Sequence, residues 1–192
     1  MQLAILHTMD IHFLITTFSY VAIFVLMIGN GIINIPSSQI LYLVVGYFIG
    51  NGTLLFLPAL LAGVLGNTVG NVVTFLLVKK YDKTFAKKIV MLDEETFEKM
   101  HRALSKTFSK HGMWWILVGK CTPSVKAFIP ILAGLAKTPT LLTSIIFFIA
   151  SGVWATLIIS IGFFFGEHAS LTSLGAVSLL VGGIIFFFIY KT

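Results

Sequence analysis

The chain has 192 residues, 57% of them hydrophobic and only 10% charged. A soluble domain carries about a quarter charged residues, so this composition excludes an ordinary water-soluble globule and places the chain among integral membrane proteins. The net charge of +6 comes largely from one central cluster, which speaks of orientation and anionic lipid; there is no aromatic-interleaved basic groove of the kind that binds nucleic acid.

Apart from Asp10, no Asp, Glu, Lys or Arg precedes Lys79, and none lies between Thr138 and Gly166. Residues 11–28 are an uncharged run long enough to cross a bilayer, with the helix-poor Gly29-Asn30-Gly31 at its exit. Residues 32–49 are barely long enough to cross and are interrupted near their start by Asn34, Pro36, Ser37, Ser38 and Gln39, so a re-entrant hairpin fits them better. Residues 54–78 read as the second spanning helix. Gly66 and Gly70 form a small-xxx-small pair, repeated at Gly46 and Gly50 and at Gly162 and Gly166, which lets helices approach backbone to backbone and is compatible with a homo-oligomer. Asn67 and Asn71 lie one turn apart on one face, which reads either as an interhelical hydrogen bond or as the lining of a cavity.

Residues 79–111 hold nine basic and five acidic side chains. Phe85, Ile89 and Leu92, then Phe97, Met100, Leu104 and Phe108, recur at helical spacing with Asp93 placed as an N-cap between them, which predicts two amphipathic surface helices. The excess of Lys and Arg makes this loop cytoplasmic. Residues 140–165 and 174–190 complete a set of about four spanning helices, with both termini expected in the cytoplasm.

The stretch from Lys120 to Lys137 is the part that apolar packing alone does not explain. Pro123 and Pro130 each remove a backbone donor and disfavour helix in the residue before them, so Thr122 and Ile129 are expected to be extended or kinked. A broken backbone survives at bilayer depth only inside protein or against a watery cavity. A lysine at the bilayer centre costs about 2.5 to 3.5 kcal/mol, so Lys120 and Lys126 must line that cavity or reach for the interface. Residues 113–137 therefore read as a second re-entrant hairpin, entering from the side opposite the first, in the manner of inverted-repeat transporters. The whole is an all-α integral membrane domain with two opposed hairpins.

Three sequence stretches carry a resemblance to a known family. They are Ser109-Lys110-His111-Gly112 followed by Gly119-Lys120-Cys121-Thr122-Pro123-Ser124-Val125-Lys126 and Ile129-Pro130-Ile131-Leu132-Ala133-Gly134; Ile35-Pro36-Ser37-Ser38-Gln39 leading to Gly46; and Gly66-Asn67-Thr68-Val69-Gly70. On these the chain resembles the DedA family, also called the SNARE-associated Golgi protein or VTT-domain family. The resemblance implies transport of phosphate-bearing lipid, either polyprenyl (undecaprenyl) phosphate or phospholipid, in a plasma membrane of bacterial or archaeal type. The sequence departs from the family pattern in its charges. Lys120 and Lys126 stand where arginines are usual, Ser38 where a glutamate is usual, Gly29 at the other acidic position, and Asn67 in place of an aspartate. The acids expected to carry a proton are thus missing, which favours facilitated exchange or another form of coupling.

The chemistry of the site follows from its residues. Lys120 and Lys126 supply positive charge as flexible point donors, Thr122 and Ser124 supply hydroxyls beside Pro123, and Asn34, Ser37, Ser38, Gln39 and Asn67 complete a polar chamber for a phosphate headgroup. The single Cys121 and the scattered His101, His111 and His168 have no metal-ligand spacing, so neither metal nor cofactor is expected. A lipid-phosphate enzyme is disfavoured because Ala127 stands where a Cys-x5-Arg phosphatase needs arginine and no intramembrane carboxylate pair exists. A helical scaffold that transports nothing is the remaining alternative.

Overall fold

The computed structural model describes residues 2–35, 37–90, 94–120, 122 and 125–168. Among them the chain is all-helical: α1 (Gln2–Ile33), α2 (Ser38–Gly50), α3 (Phe56–Val90), α4 (Glu94–His111), α5 (Trp114–Lys120), α6 (Ile129–Leu135) and α7 (Thr140–His168). Within α3 and α7, the stretches Phe56–Tyr81 and Thr140–Gly166 are long and apolar enough to cross a bilayer. At about 1.5 Å per residue each covers roughly 40 Å. The faces of α3 divide cleanly. Leu57, Leu61, Leu65, Val69, Val73 and Leu76 are exposed as one apolar stripe, whereas Gly63, Gly66, Asn67, Gly70, Asn71 and Thr74 are buried on the other side. The 174–190 expectation lies outside the described residues.

Glycine decides which helices pair. A Cβ on Gly66 would run into the carbonyl oxygen of Phe24 and one on Gly70 into that of Ile28, so α1 rests directly on the backbone of α3. The facing positions advance together, which makes the two helices parallel. In the same way Gly162 seats Leu43 and Gly166 seats Tyr47, so α2 runs parallel to α7. Phe75 meets Phe147 and Asn67 meets Ser151, which sets α3 and α7 antiparallel. The short α5 packs on α7, and α6 packs on α3 through Gly134, which faces Phe75 and Val78. Each half is thus a broken helical pair followed by a long helix, and each pair lends its returning arm to the long helix of the other half.

Three sequence expectations change. The first helix does not end at Gly29-Asn30-Gly31; it continues to Ile33, because Gly31 is the surface that meets α3, where a Cβ would lie 2.7 Å from Gly70 Cα. Asn34 ends it, with a φ of 58° and its N–H donated to the Asn30 carbonyl at 2.9 Å, a left-handed cap that asparagine tolerates. The N–H of Leu55 donates to the Tyr20 hydroxyl at 3.0 Å, so α1 joins the bundle beside the start of α3. From there it reaches only to the level of Asn71 before turning back. Over its apolar part, Phe18–Ile33, α1 thus runs parallel to α3, not antiparallel to it as two successive crossings at 11–28 and 54–78 would.

Finally, α3 does not stop at Val78. With no glycine or proline between Val78 and Val90, the spanning helix and the first amphipathic segment are one continuous rod. The second amphipathic segment holds α4, Glu94–His111; the Asp93 cap position lies outside the described residues. Its apolar face does more than lie on a surface: Phe97 is buried with Val78, Ala86, Phe128 and Ile131, so α4 clamps the start of α6. Lys83 donates to Glu98 at 2.8 Å and Lys87 pairs with Glu94.

Two titrating groups make this clamp sensitive to acid. The hydrogen bond from Lys83 holds the Glu98 carboxyl below its usual range, with the charges of Lys83, Lys87 and His101 adding to it. Burial, then the charge of Lys83, lowers His101. In both cases the folded state binds its proton less readily than the unfolded one, so stability is present above the unfolded pKa and is lost as the pH falls below it. Amide exchange across α4, corrected for intrinsic rate, is expected to be faster at pH 5 than at pH 7 and faster still near pH 4; protection that is unchanged or improved would contradict the assignment.

Candidate functional site

A run of backbone hydrogen bonds is broken between Lys120, the last residue of α5, and Ile129, the first of α6. The turn is built on Thr122, whose carbonyl accepts the N–H groups of Val125 at 3.1 Å and Lys126 at 2.9 Å. Its hydroxyl donates back to the Val118 carbonyl at 3.1 Å. Thr122, expected from sequence as a headgroup donor, thus forms the turn and engages its hydroxyl proton within it. Ile129 is helical, not kinked, because Pro130 falls in the first turn of α6, where helix donors are unsatisfied in any case. Pro123 and Ser124 of the expected site lie outside the described residues.

The tip of this hairpin meets the tip of the other. Lys126 Nζ donates to Ser38 Oγ at 2.5 Å and to Gln39 Oε1 at 2.8 Å, and Ser37 donates to the same Gln39 oxygen at 2.8 Å. Lys120 Nζ donates to Asn71 Oδ1 at 2.7 Å. Asn71 donates to Asn67 Oδ1, Asn67 donates to Asn30 Oδ1, and Ser151 also donates to Asn67 Oδ1, each at 2.8 Å. Phe147 lies 5.5 Å below the Lys120 ammonium and Trp154 lies 5.6 Å below that of Lys126, a favourable cation–π placement. Both lysines are only 8% exposed: they turn inward and do not snorkel.

These groups surround one cavity of about 190 Å³, lined by Asn34, Ser38, Asn67, Asn71, Lys120 and Lys126, with Asn30, Tyr42, Ser151 and Trp154 among the rest. Asn67 and Asn71 straddle the middle of Phe56–Tyr81, and Ser151 sits near the middle of Thr140–Gly166. The described lining contains no carboxylate. Ser38 is the telling substitution: a hydroxyl meets Lys126 at the position where the resembled pattern has a glutamate, so the contact satisfies a donor without cancelling its charge. Ser37 and Gln39 stand behind this contact. The sequence reading missed Asn30, Tyr42, Ser151 and Trp154. Asn30 was masked by its glycine neighbours, and an isolated Ser or Trp in a long apolar run carries no signal of which way it faces.

Asn67 is the hub. Asn67→Ala leaves Asn30, Asn71 and Ser151 each short of a buried partner, and is expected to cost about 2 to 3 kcal/mol. A thermal melt in detergent reads this as a lowered midpoint; an unchanged midpoint would show that the network carries no stability.

Residues 35–164 match the VTT domain. The chain belongs to the VTT-domain family, that of the DedA membrane proteins. Undecaprenyl phosphate transporter A of Bacillus subtilis (strain 168) is 27% identical over 137 residues, 71% of this chain and 68% of that protein. Inner membrane protein YabI of Escherichia coli (strain K12) is 32% identical over 155 residues, 72% of this chain but 58% of YabI, so this VTT-domain chain spans less than two thirds of that relative. The uncharacterized membrane protein YbfM of Bacillus subtilis is 28% identical over 155 residues, 78% of this chain and 91% of its own length. No solved structure matches the chain significantly.

Proposed function

We propose that this protein moves lipids with phosphate headgroups, polyprenyl phosphate foremost and phospholipid second, between the leaflets of a plasma membrane. The observation that carries the reading is the pair of ammonium groups brought by a broken hairpin to a polar cavity at the middle of the two spanning helices. On this reading the re-entrant hairpin expected at 32–49 is completed by the end of α1 as its incoming arm, and residues 113–137 form the second. The 79–111 segment faces the cytoplasm by its excess of Lys and Arg.

A phosphate entering the cavity exchanges water for two ammonium groups and neutral donors, while its tails stay in lipid. Lysines suit release as well as capture, because each offers a point contact and not the bidentate fork of an arginine. The name of the Bacillus subtilis transporter supports the polyprenyl phosphate. With neutral Ser38 and Asn67 at the positions where the family pattern carries acids, transfer is facilitated exchange that needs no proton gradient.

Reconstitution in liposomes tests the reading. Labelled undecaprenyl phosphate is expected to reach the opposite leaflet intact, at a similar rate with and without a pH gradient. Release of inorganic phosphate would instead indicate an enzyme, and movement no faster than in protein-free vesicles would indicate a scaffold.

A further inference from the structure

Among the described residues three buried side-chain donors have no hydrogen-bond partner: Tyr42 Oη, Trp154 Nε1 and Trp115 Nε1. Two of the three, Tyr42 and Trp154, line the cavity that holds Lys120 and Lys126. The Tyr42 ring is only 1% exposed and occupies a seat made for it, since a Cβ on Gly63 would lie 2.6 Å from its ring and 3.3 Å from its hydroxyl. An unpaired hydroxyl at such a place destabilises the fold relative to a paired one. Packing alone would favour phenylalanine, which fills the same volume without that cost. Trp154 presents the same combination: its ring face underlies the Lys126 ammonium while its N–H goes unused.

Resting on the transport reading above, we propose that Tyr42 and Trp154 are specificity-determining donors, which give the Tyr42 O–H and the Trp154 N–H to the oxygens of a phosphomonoester headgroup. A terminal phosphate has three unesterified oxygens, each with more than one acceptor site, and two ammonium groups do not saturate them. A phosphodiester has only two such oxygens and a bulky second substituent, and a cavity of about 190 Å³ favours the smaller, more oxygen-rich end group. The neutral donors thus add discrimination to the attraction that the lysines provide without choosing among anions.

The proposal makes stability and affinity move in opposite directions, which a packing role does not. Tyr42→Phe removes the unpaired hydroxyl, so the detergent-solubilised protein without lipid is expected to melt at the same temperature as wild type or higher. Its affinity for farnesyl phosphate, measured by calorimetric titration, is expected to fall about tenfold, with farnesol as the uncharged control showing no difference between the two proteins. Trp154→Phe should weaken farnesyl phosphate in the same direction. Unchanged farnesyl phosphate affinity in Tyr42→Phe overturns the proposal, as does a lowered melting temperature with equal losses for farnesyl phosphate and farnesol. Wild-type protein that fails to bind farnesyl phosphate at all overturns the transport reading itself, a result distinct from any difference between wild type and Tyr42→Phe.

Discussion

Lys120→Ala and Lys126→Ala are each expected to slow leaflet transfer of undecaprenyl phosphate by about a hundredfold, on the scale of losing a charge-assisted contact of about 3 kcal/mol. The loss should appear without unfolding. Removing Lys126 takes the donor from Ser38 Oγ and leaves Gln39 Oε1 with Ser37 alone, and removing Lys120 takes the donor from Asn71 Oδ1, at about 1 to 3 kcal/mol. Against this, each variant relieves an ammonium held at bilayer depth, which costs about 2.5 to 3.5 kcal/mol. The two effects nearly cancel, so the melting temperatures should stay close to wild type while transfer collapses. Transfer retained in both variants would defeat the site.

Gly70→Leu should be the most damaging single change to the fold. A Cβ there meets the backbone of Ile28 and Gly31, and two helix backbones cannot yield as a flexible side chain can. The cost should exceed the usual range for overpacking and reach about 3 kcal/mol or more, separating the first hairpin from α3. Gly162→Leu should do the same to α2 on α7, because its Cβ would strike the backbone of Leu43. Gly152→Leu is the matched control: it lies on the same α7, but a Cβ there meets nothing within 4 Å. In detergent melts the first two variants are expected to lose the cooperative transition and the third to keep it; a wild-type melt for Gly70→Leu would refute the parallel packing of α1 on α3.

What the sequence revealed and what it hid follow from the range of the forces involved. Long uncharged runs mark α3 and α7 without help from the fold, and the prolines with two lysines between Lys120 and Pro130 mark a broken, charged segment, because these features cost energy locally wherever they occur. Direction was not local. Gly29-Asn30-Gly31 looks like a helix end when only helix propensity is weighed, yet Gly31 is at the contact with Gly70, and that contact makes α1 parallel to α3. The same limit explains the site. Lys120, Lys126, Ser38 and Asn34 were legible as polar residues where apolar ones were expected, whereas Thr122 was spent on its own turn. Tyr42 and Trp154 look like ordinary aromatic residues until their polar atoms are found without partners beside a cavity.

Transport through this site needs two hairpin tips that meet in the middle of the bilayer, and the distance between them is the most direct test. With Cys121→Ser as background, spin labels at Ser37→Cys and Ala127→Cys in liposomes should lie within about 20 Å of each other by pulsed electron resonance, with both equally deep. Labels separated by about 30 Å, the thickness of the hydrocarbon core, and placed near opposite interfaces would contradict it.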